Sequence, residues 1–284
     1  MNGEGGMGKT IIEWTDLVWN PVTGCTKISA GCKNCYAERM FHRPYPGRAF
    51  TDVRVHPERL EYPPHWRKPR RVFVNSMSDL FHEAVPFEFI LAVLAHAVFA
   101  DWHTYQILTK RPERMLEFAE WMYTKAPCRV ELMRRCLQFI VSVEDQPTAD
   151  QRIPLLLQFP CTVRGVSYEP ALGPLVFNGP AGAGKIDWVI AGGESGPRAR
   201  PAHPDWFRSV RDQCQAAGVP FFFKQWGEWL PADGPPSELI PPVIRMRACL
   251  AGNGESGQVG LWYRLGKARS GRLLDGREWN EFPK

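Results

Sequence analysis

No stretch of the 284-residue sequence stays apolar over the roughly 20 residues that a membrane-crossing helix needs. The longest candidate, "FEFILAVLAHAVFADW" from Phe87 to Trp102, is broken by Glu88, His96 and Asp101 and predicts a buried helix instead. The opening residues lack the basic-then-apolar pattern of a secretory leader, so a cytoplasmic protein with reduced thiols and no membrane partner is expected. Internal repeats and low-complexity tracts are also missing, which excludes a solenoid or a disordered array. What remains is ordinary for a globular chain: 44% hydrophobic and 23% charged residues, in a length that buries enough surface to fold without staples.

From residue 71 onward, short β-branched or aromatic runs alternate with helical patterns. The runs are "RVFVN" (71–75), "TYQIL" (104–108), "LQFIV" (137–141), "CTVRGVS" (161–167), "DWVIAG" (187–192) and "VPFFFK" (219–224). Measured from Val72, Thr104, Gln138, Thr162, Asp187 and Val219, successive spacings are 32, 34, 24, 25 and 32 residues, the rhythm of βα units. Runs that are largely apolar rather than alternating fit strands covered on both faces. With an earlier strand inside "IIEWTDLVWN", the sequence predicts an α/β fold, a partial (β/α) barrel of six or seven mostly parallel strands. The alternation stops after Trp226. Residues 1–226 are therefore expected to form the barrel with its cysteine loop, and 227–284 a small C-terminal elaboration packed on it.

In such barrels the working groups lie at the C-terminal strand ends. Here those positions read Asn75, Ser76, Ser78 and Asp79; Thr109, Lys110 and Arg111; Ser142 and Glu144; Ser167 and Glu169; Gly193 and Glu194; Lys224 and Gln225. Serine and aspartate commonly cap the helices that follow strands. Capping explains neither Lys110 nor Lys224, so the set as a whole suggests a polar site.

Five of the eight cysteines, Cys128, Cys136, Cys161, Cys214 and Cys249, are scattered singly and read as core residues. The other three are gathered in "GCTKISAGCKNCYAERM", where Cys25, Cys32 and Cys35 follow a C-x6-C-x2-C spacing on a loop after the first strand. Thiolates so placed bind a soft metal or an iron–sulfur cluster, and three ligands leave one position open. In a [4Fe-4S] cluster the open corner takes an exogenous ligand; in a zinc site it takes His42 or water. Two phosphate-loop look-alikes are discounted. "GEGGMGKT" (3–10) has no strand before it and no helix pattern after it, and "GPAGAGKI" (179–186) lacks the final Ser or Thr and leads into a strand.

A net charge of +5 is mildly favourable to polyanions. Between 54 and 71, Arg67, Lys68, Arg70 and Arg71 stand beside Tyr62 and Trp66, a mixture that suits phosphate contact and base stacking but equally a solvated crossing loop. Arg198, Arg200, Arg245, Arg247, Lys267, Arg269 and Arg272 could extend a basic face. Most of the eleven tryptophans are expected to be packing residues.

"WNPVTGCTKISAGCKNCYAERM", "VFVNSMSDLFH", "YQILTKRPERM", "RGVSYEPALGPL", "DWVIAGGESGPRARP" and "VPFFFKQWGEW" together resemble the phage-type three-cysteine-motif family of unknown function, over most of the chain. More distantly, the layout is similar to radical S-adenosylmethionine enzymes, in particular the DNA-lesion lyases of the spore photoproduct type. They share a cysteine loop after the first strand, a polar motif after the second and a "TK" dipeptide after a later one. This sequence differs from that larger group in placing six residues between its first two cysteines instead of three, and in having Asn34 where an aromatic is usual.

The resemblance implies that Cys25, Cys32 and Cys35 hold a [4Fe-4S] cluster whose open iron binds S-adenosyl-L-methionine, and that an electron donor is a partner. It implies that Asn75, Ser76, Ser78 and Asp79 contact the cofactor's amino group, and Ser142 and Glu144 its ribose. Lys110, Glu169, Glu194 and Lys224 match the family's own motifs as rim residues for cofactor or substrate. The expected activity is that of a radical S-adenosylmethionine-type lyase or transferase in nucleic-acid or nucleotide modification or repair. Two alternatives stand beside it: a non-catalytic nucleic-acid-binding protein carrying zinc or a structural cluster, and a cluster-based redox sensor.

Overall fold

A computed structural model describes residues 10, 12–126, 131–132, 134–177, 183–232, 246–251 and 258–284. Cys128, Arg245 and nearly all of "GEGGMGKT" lie outside them, as do the first residues of "GPAGAGKI" and the side chains of Arg247 and Cys249.

Strands β1 (Leu17–Trp19), β2 (Val22–Thr23), β3 (Arg54–Val55), β4 (Arg71–Val74), β5 (Thr104–Thr109), β6 (Leu137–Val143), β7 (Val163–Tyr168), β8 (Trp188–Gly192) and β9 (Phe221–Gln225) precede a C-terminal set, β10 (Trp229–Pro231), β11 (Met246–Ala251) and β12 (Gln258–Arg264). The helices are α1 (Tyr36–Phe41), α2 (Tyr62–His65), α3 (Phe87–Phe99), α4 (Pro112–Thr124), α5 (Gln146–Gln158), α6 (Pro204–Ala217) and α7 (Lys267–Ser270). One seven-stranded sheet runs β1-β4-β5-β6-β7-β8-β9, the parallel half-barrel expected from the βα spacing. Val72 pairs with Tyr105 and Ile107 with Phe139 in parallel register. The tail adds a three-stranded antiparallel sheet, β10-β12-β11.

The apolar runs become strands because both faces are covered: every residue of β6 and of β8 is buried. Helix α4 opens on Pro112, whose fixed φ suits a first helical position. It buries Met115, Phe118, Ala119 and Met122, one face at helical spacing. Each such side chain taken fully from water contributes about 1.5–3 kcal/mol. Helix α3 buries Ile90, Val93, Leu94 and Ala97 in the same way, as "FEFILAVLAHAVF" predicts, while Phe99 beyond them stays exposed. Helix α6 stops at Gly218, which turns left-handed at φ 69° and donates its N–H to the Cys214 and Gln215 carbonyls.

The chain divides into two compact units. The first comprises residues 1–28, 35–142 and 152–165; the second comprises 29–34, 143–151 and 166–284. In the first, the Trp19 indole donates to the Arg59 carbonyl at 2.8 Å inside the core. In the second, the end of the chain is sewn to the last strands of the sheet: Trp188 donates to the Glu281 carbonyl at 2.9 Å, and Phe223 N–H to the Trp279 carbonyl at 3.0 Å. Trp14, Trp19, Trp188, Trp206, Trp226, Trp229, Trp262 and Trp279 are all buried, so tryptophan serves mainly as packing. Cys161 and Cys214 are core residues too, and burial pushes the Cys214 thiol up to about 12. No helix among the described residues is long and apolar enough to cross a membrane.

Two predictions follow from this packing. A methyl group added at Gly193 would land on the Trp226 carbonyl, so Gly193→Ala is expected to destabilise the fold by about 1–3 kcal/mol, read as a lower urea midpoint. His56 and His103 carry pKa values below the usual 6.5, first because burial disfavours their charged form, reinforced by Arg59 at His56 and Arg70 at His103. The unfolded chain then binds protons more readily, so stability should be full above pH 6.5 and decline as pH falls toward the native values. Urea midpoints that stay flat between about pH 7.5 and about pH 5.5 would contradict this linkage.

Candidate functional site

The first unit builds its polar centre around Cys25. The chain leaves β1, turns through Gly24 at φ 89°, and lies against the segment after β4, with Gly24 N–H donating to the Met77 carbonyl and Cys25 N–H to the Phe50 carbonyl. Glycine is required at 24, because a side chain would collide with the Asp52 and Phe50 carbonyls. Cys25 and Cys35 both pack on a cluster of Ala37, Phe41 and Phe50. Cys35 ends the loop and starts α1.

Asp79 is the hub of this centre. Its Oδ1 accepts from the Thr109 hydroxyl at 2.8 Å and from Phe81 N–H at 3.0 Å; its Oδ2 accepts from Lys110 N–H at 3.0 Å and Arg111 Nη1 at 3.2 Å. Both partners of the Arg111–Asp79 ion pair are buried. Arg111 Nη1 also donates to Cys25 Sγ at 3.7 Å, and Nη2 to the Thr26 carbonyl and hydroxyl at 3.1 and 3.0 Å. Burial works against the guanidinium's charge, yet Asp79, Cys25 and Glu83 outweigh it and hold the Arg111 pKa above its ordinary value. His82 accepts from Ala84 N–H on Nδ1, so its Nε2–H faces the Thr26 hydroxyl at 2.8 Å. Burial, then Arg111, depresses its pKa and keeps it neutral.

The other residues expected after β4 bind the segment that follows β1. The Ser78 hydroxyl donates to the Val22 carbonyl at 2.8 Å and that of Ser76 to Asn20 Oδ1 at 3.3 Å. Asn75 sits at φ 66°, a left-handed conformation few non-glycine residues adopt. Its Oδ1 accepts from Val22 N–H, and its buried Nδ2 has no partner among the described residues. Ser142 is buried at the end of β6, where its carbonyl accepts from Arg152 at 2.7 Å.

In the second unit, three carboxylates occupy strand ends. Glu144, fully buried, accepts from the Ser29 hydroxyl at 2.8 Å, and a Cβ at Gly31 would fall 2.5 Å from its Oε1. Glu194 receives a two-pronged contact from Arg200 at 2.6 and 2.8 Å, and Asn34 Nδ2 at 3.2 Å. Arg200 also donates to the Ala30 carbonyl at 3.0 Å. Glu144, Glu194 and Arg200 thus grip the turn that carries Cys32, whose sulfur lies 3.7 Å from the Ser29 hydroxyl. Lys224 Nζ meets both oxygens of Glu169 at 2.8 and 3.0 Å, and Gln225 Nε2 reaches the same carboxylate at 3.3 Å. The Gln225 Oε1 is buried without a partner among the described residues.

Sequence reasoning singles out the carboxylates, Lys224 and Arg111, and gives Arg200 only as part of a basic face, without saying which of them pair. Arg111 directly follows the "TK" pair, and Arg200 closes "ESGPRAR"; a basic residue so near a strand end was the available signal. The basic–aromatic segment behaves differently. It enters β4 at its N-terminal end, whereas the cysteine loop leaves the parallel neighbour β1 at its C-terminal end. Arg71 is paired with Asp16 at 3.1 Å, and Arg67, Lys68 and Arg70 are exposed.

The donor chemistry suits a soft metal centre. Cys25, Cys32 and Cys35 are all half-buried thiols, and a cationic donor lies on the Cys25 sulfur. Among the described residues, however, no three His, Cys, Asp or Glu side chains are drawn together as a ready-made metal site.

A family model described as a protein of unknown function (DUF5131) matches residues 9–283. No curated protein matches the chain. Among solved structures, a spore photoproduct lyase variant with bound AdoMet and dinucleoside spore photoproduct is similar at 11% identity and a TM-score of 0.44, covering 93% of this chain and 73% of that one. Another variant, with dinucleoside spore photoproduct, is similar at 10% identity and a TM-score of 0.45, covering 93% and 72%.

The grip on the Cys32 turn is testable. Gly31→Ala should push the turn off Glu144 and increase amide hydrogen exchange across residues 29–34, leaving exchange in the strands unchanged. Unaltered exchange in the turn would show that Glu144 does not hold it.

Proposed function

The chain belongs to the DUF5131 family, and from that premise we propose that it is an iron–sulfur enzyme of the radical S-adenosylmethionine type acting on a nucleic acid or nucleotide. The observation that carries this reading is the placement of the thiols: three half-buried cysteines lie on the loop leaving the first strand of a parallel βα sheet, one with a guanidinium held on its sulfur. A zinc site or a structural thiol needs no buried cation beside the ligand. A ligand to a cluster that cycles in charge gains from one.

In this reading Cys25, Cys32 and Cys35 hold a [4Fe-4S] cluster, and an external donor protein supplies electrons. When bound, the cluster supplies one-electron reduction of S-adenosylmethionine. The chain's own residues bind and orient. Asn75 offers a buried amide N–H group, and Gln225 a buried amide oxygen, that have no partner among the described residues. These are polar atoms whose burial costs free energy unless a ligand completes them. Lys110, Glu169 and Lys224 lie at the C-terminal ends of β5, β7 and β9 as cofactor or substrate contacts. Glu144 and Glu194 support the cysteine turn in addition to any ligand contact. Asn75, Ser76, Ser78 and Ser142 shape the loops around them.

The test is anaerobic reconstitution with iron and sulfide. About four irons per chain are expected, with release of 5′-deoxyadenosine from S-adenosylmethionine under reduction, and Cys32→Ala should lose most of the iron. One zinc per chain in place of iron, or full iron content in Cys32→Ala, overturns the proposal.

A further inference from the structure

We infer that Arg111 is a positioning residue for Cys25, and that Asp79 serves to aim Arg111 rather than to contact a cofactor. The inference rests on the cluster reading above and assigns a specific device within it.

The argument begins with the capacity of a carboxylate. Two oxygens offer about four acceptor sites, and Asp79 uses four, on Thr109 Oγ1, Phe81 N–H, Lys110 N–H and Arg111 Nη1. Nothing is left with which to hold an ammonium group of a ligand. Three of the four donors are Thr109 at the end of β5 and the two residues after it, and the fourth belongs to Asp79's own loop. The carboxylate therefore locks one turn onto another. Arg111 reaches further: the same Nη1 touches the Cys25 sulfur, and Nη2 clasps the backbone and hydroxyl of Thr26. Planar and forked, the guanidinium fixes the direction in which Cys25 presents its sulfur. A lysine at this place could meet Asp79 but could not hold Thr26 and Cys25 at once.

A cationic donor on one cluster sulfur stabilises the more negatively charged, reduced state. The inference thus has an electrochemical signature that a merely structural arginine lacks. Arg111→Gln alone would strand the Asp79 carboxylate and could unfold the first unit, so the informative variants are Arg111→Lys and the charge-neutral pair Asp79→Asn with Arg111→Gln. Both are reconstituted beside the native protein, and iron content and midpoint potential are measured by a redox titration followed by electron paramagnetic resonance.

The expected result is iron loading close to native with a midpoint shifted to more negative potential in both variants. A midpoint unchanged in loaded variants overturns the inference. If the native protein takes up no iron, the reading under Proposed function falls and the metal-free protein decides: urea midpoints for Arg111→Lys, Cys25→Ala and the two combined in one chain should be non-additive, whereas additive effects overturn the Arg111–Cys25 link.

Discussion

The buried ion pair between Asp79 and Arg111 is the interaction on which the first unit's polar centre depends. It joins the loop after β4 to the turn after β5, and through Arg111 both are joined to the residues that follow β1. Breaking such a pair by removing one partner typically costs about 3–5 kcal/mol, because the remaining charge is left buried. The pair is useful for geometry more than for net stability, since two apolar residues of similar size could fill the same space. Its value lies in the fork it holds in place.

The second unit solves a similar problem with different chemistry. Glu144 and Glu194 are carboxylates almost without solvent contact, and each is neutralised or hydrogen-bonded by residues close to the Cys32 turn. Glu169 is less buried and is paired with Lys224. Gly192 makes this possible, because a Cβ there would come within 3.3 Å of the Glu169 carboxyl carbon. Small residues and charged residues at these strand ends are therefore one feature: the first make room for the second.

Much of this architecture was legible in the amino-acid order. Runs such as "LQFIV" and "DWVIAG" are apolar at all but one position and do not alternate, as a doubly covered strand requires, and they appear as β6 and β8 with boundaries within two residues of those expected. The helix from Phe87 was visible from its apolar spacing and ends three residues early, at Phe99, where its apolar face runs out. Partnerships between side chains were not legible. The resemblance gives Asp79 as a cofactor contact; its four donors come from its own loop and from residues about thirty positions away, and a pairing that depends on register is not written in the local sequence. Ser76 and Ser78 likewise bind groups brought close by the β1–β4 pairing, the Asn20 side chain and the Val22 carbonyl. The basic–aromatic segment was read by composition alone, and strand direction places it at the entry to β4 instead of at the exit of β1.

Between the last residue of β5 and the first of α4 there are only two positions, Lys110 and Arg111, and Pro112 then sets the backbone angle of the helix start. So short a hinge has little slack. Arg111 takes its bearing from the central sheet like a gauge mounted on a girder, and a single inserted residue on either side would swing its tip away from the sulfur and from Asp79 together.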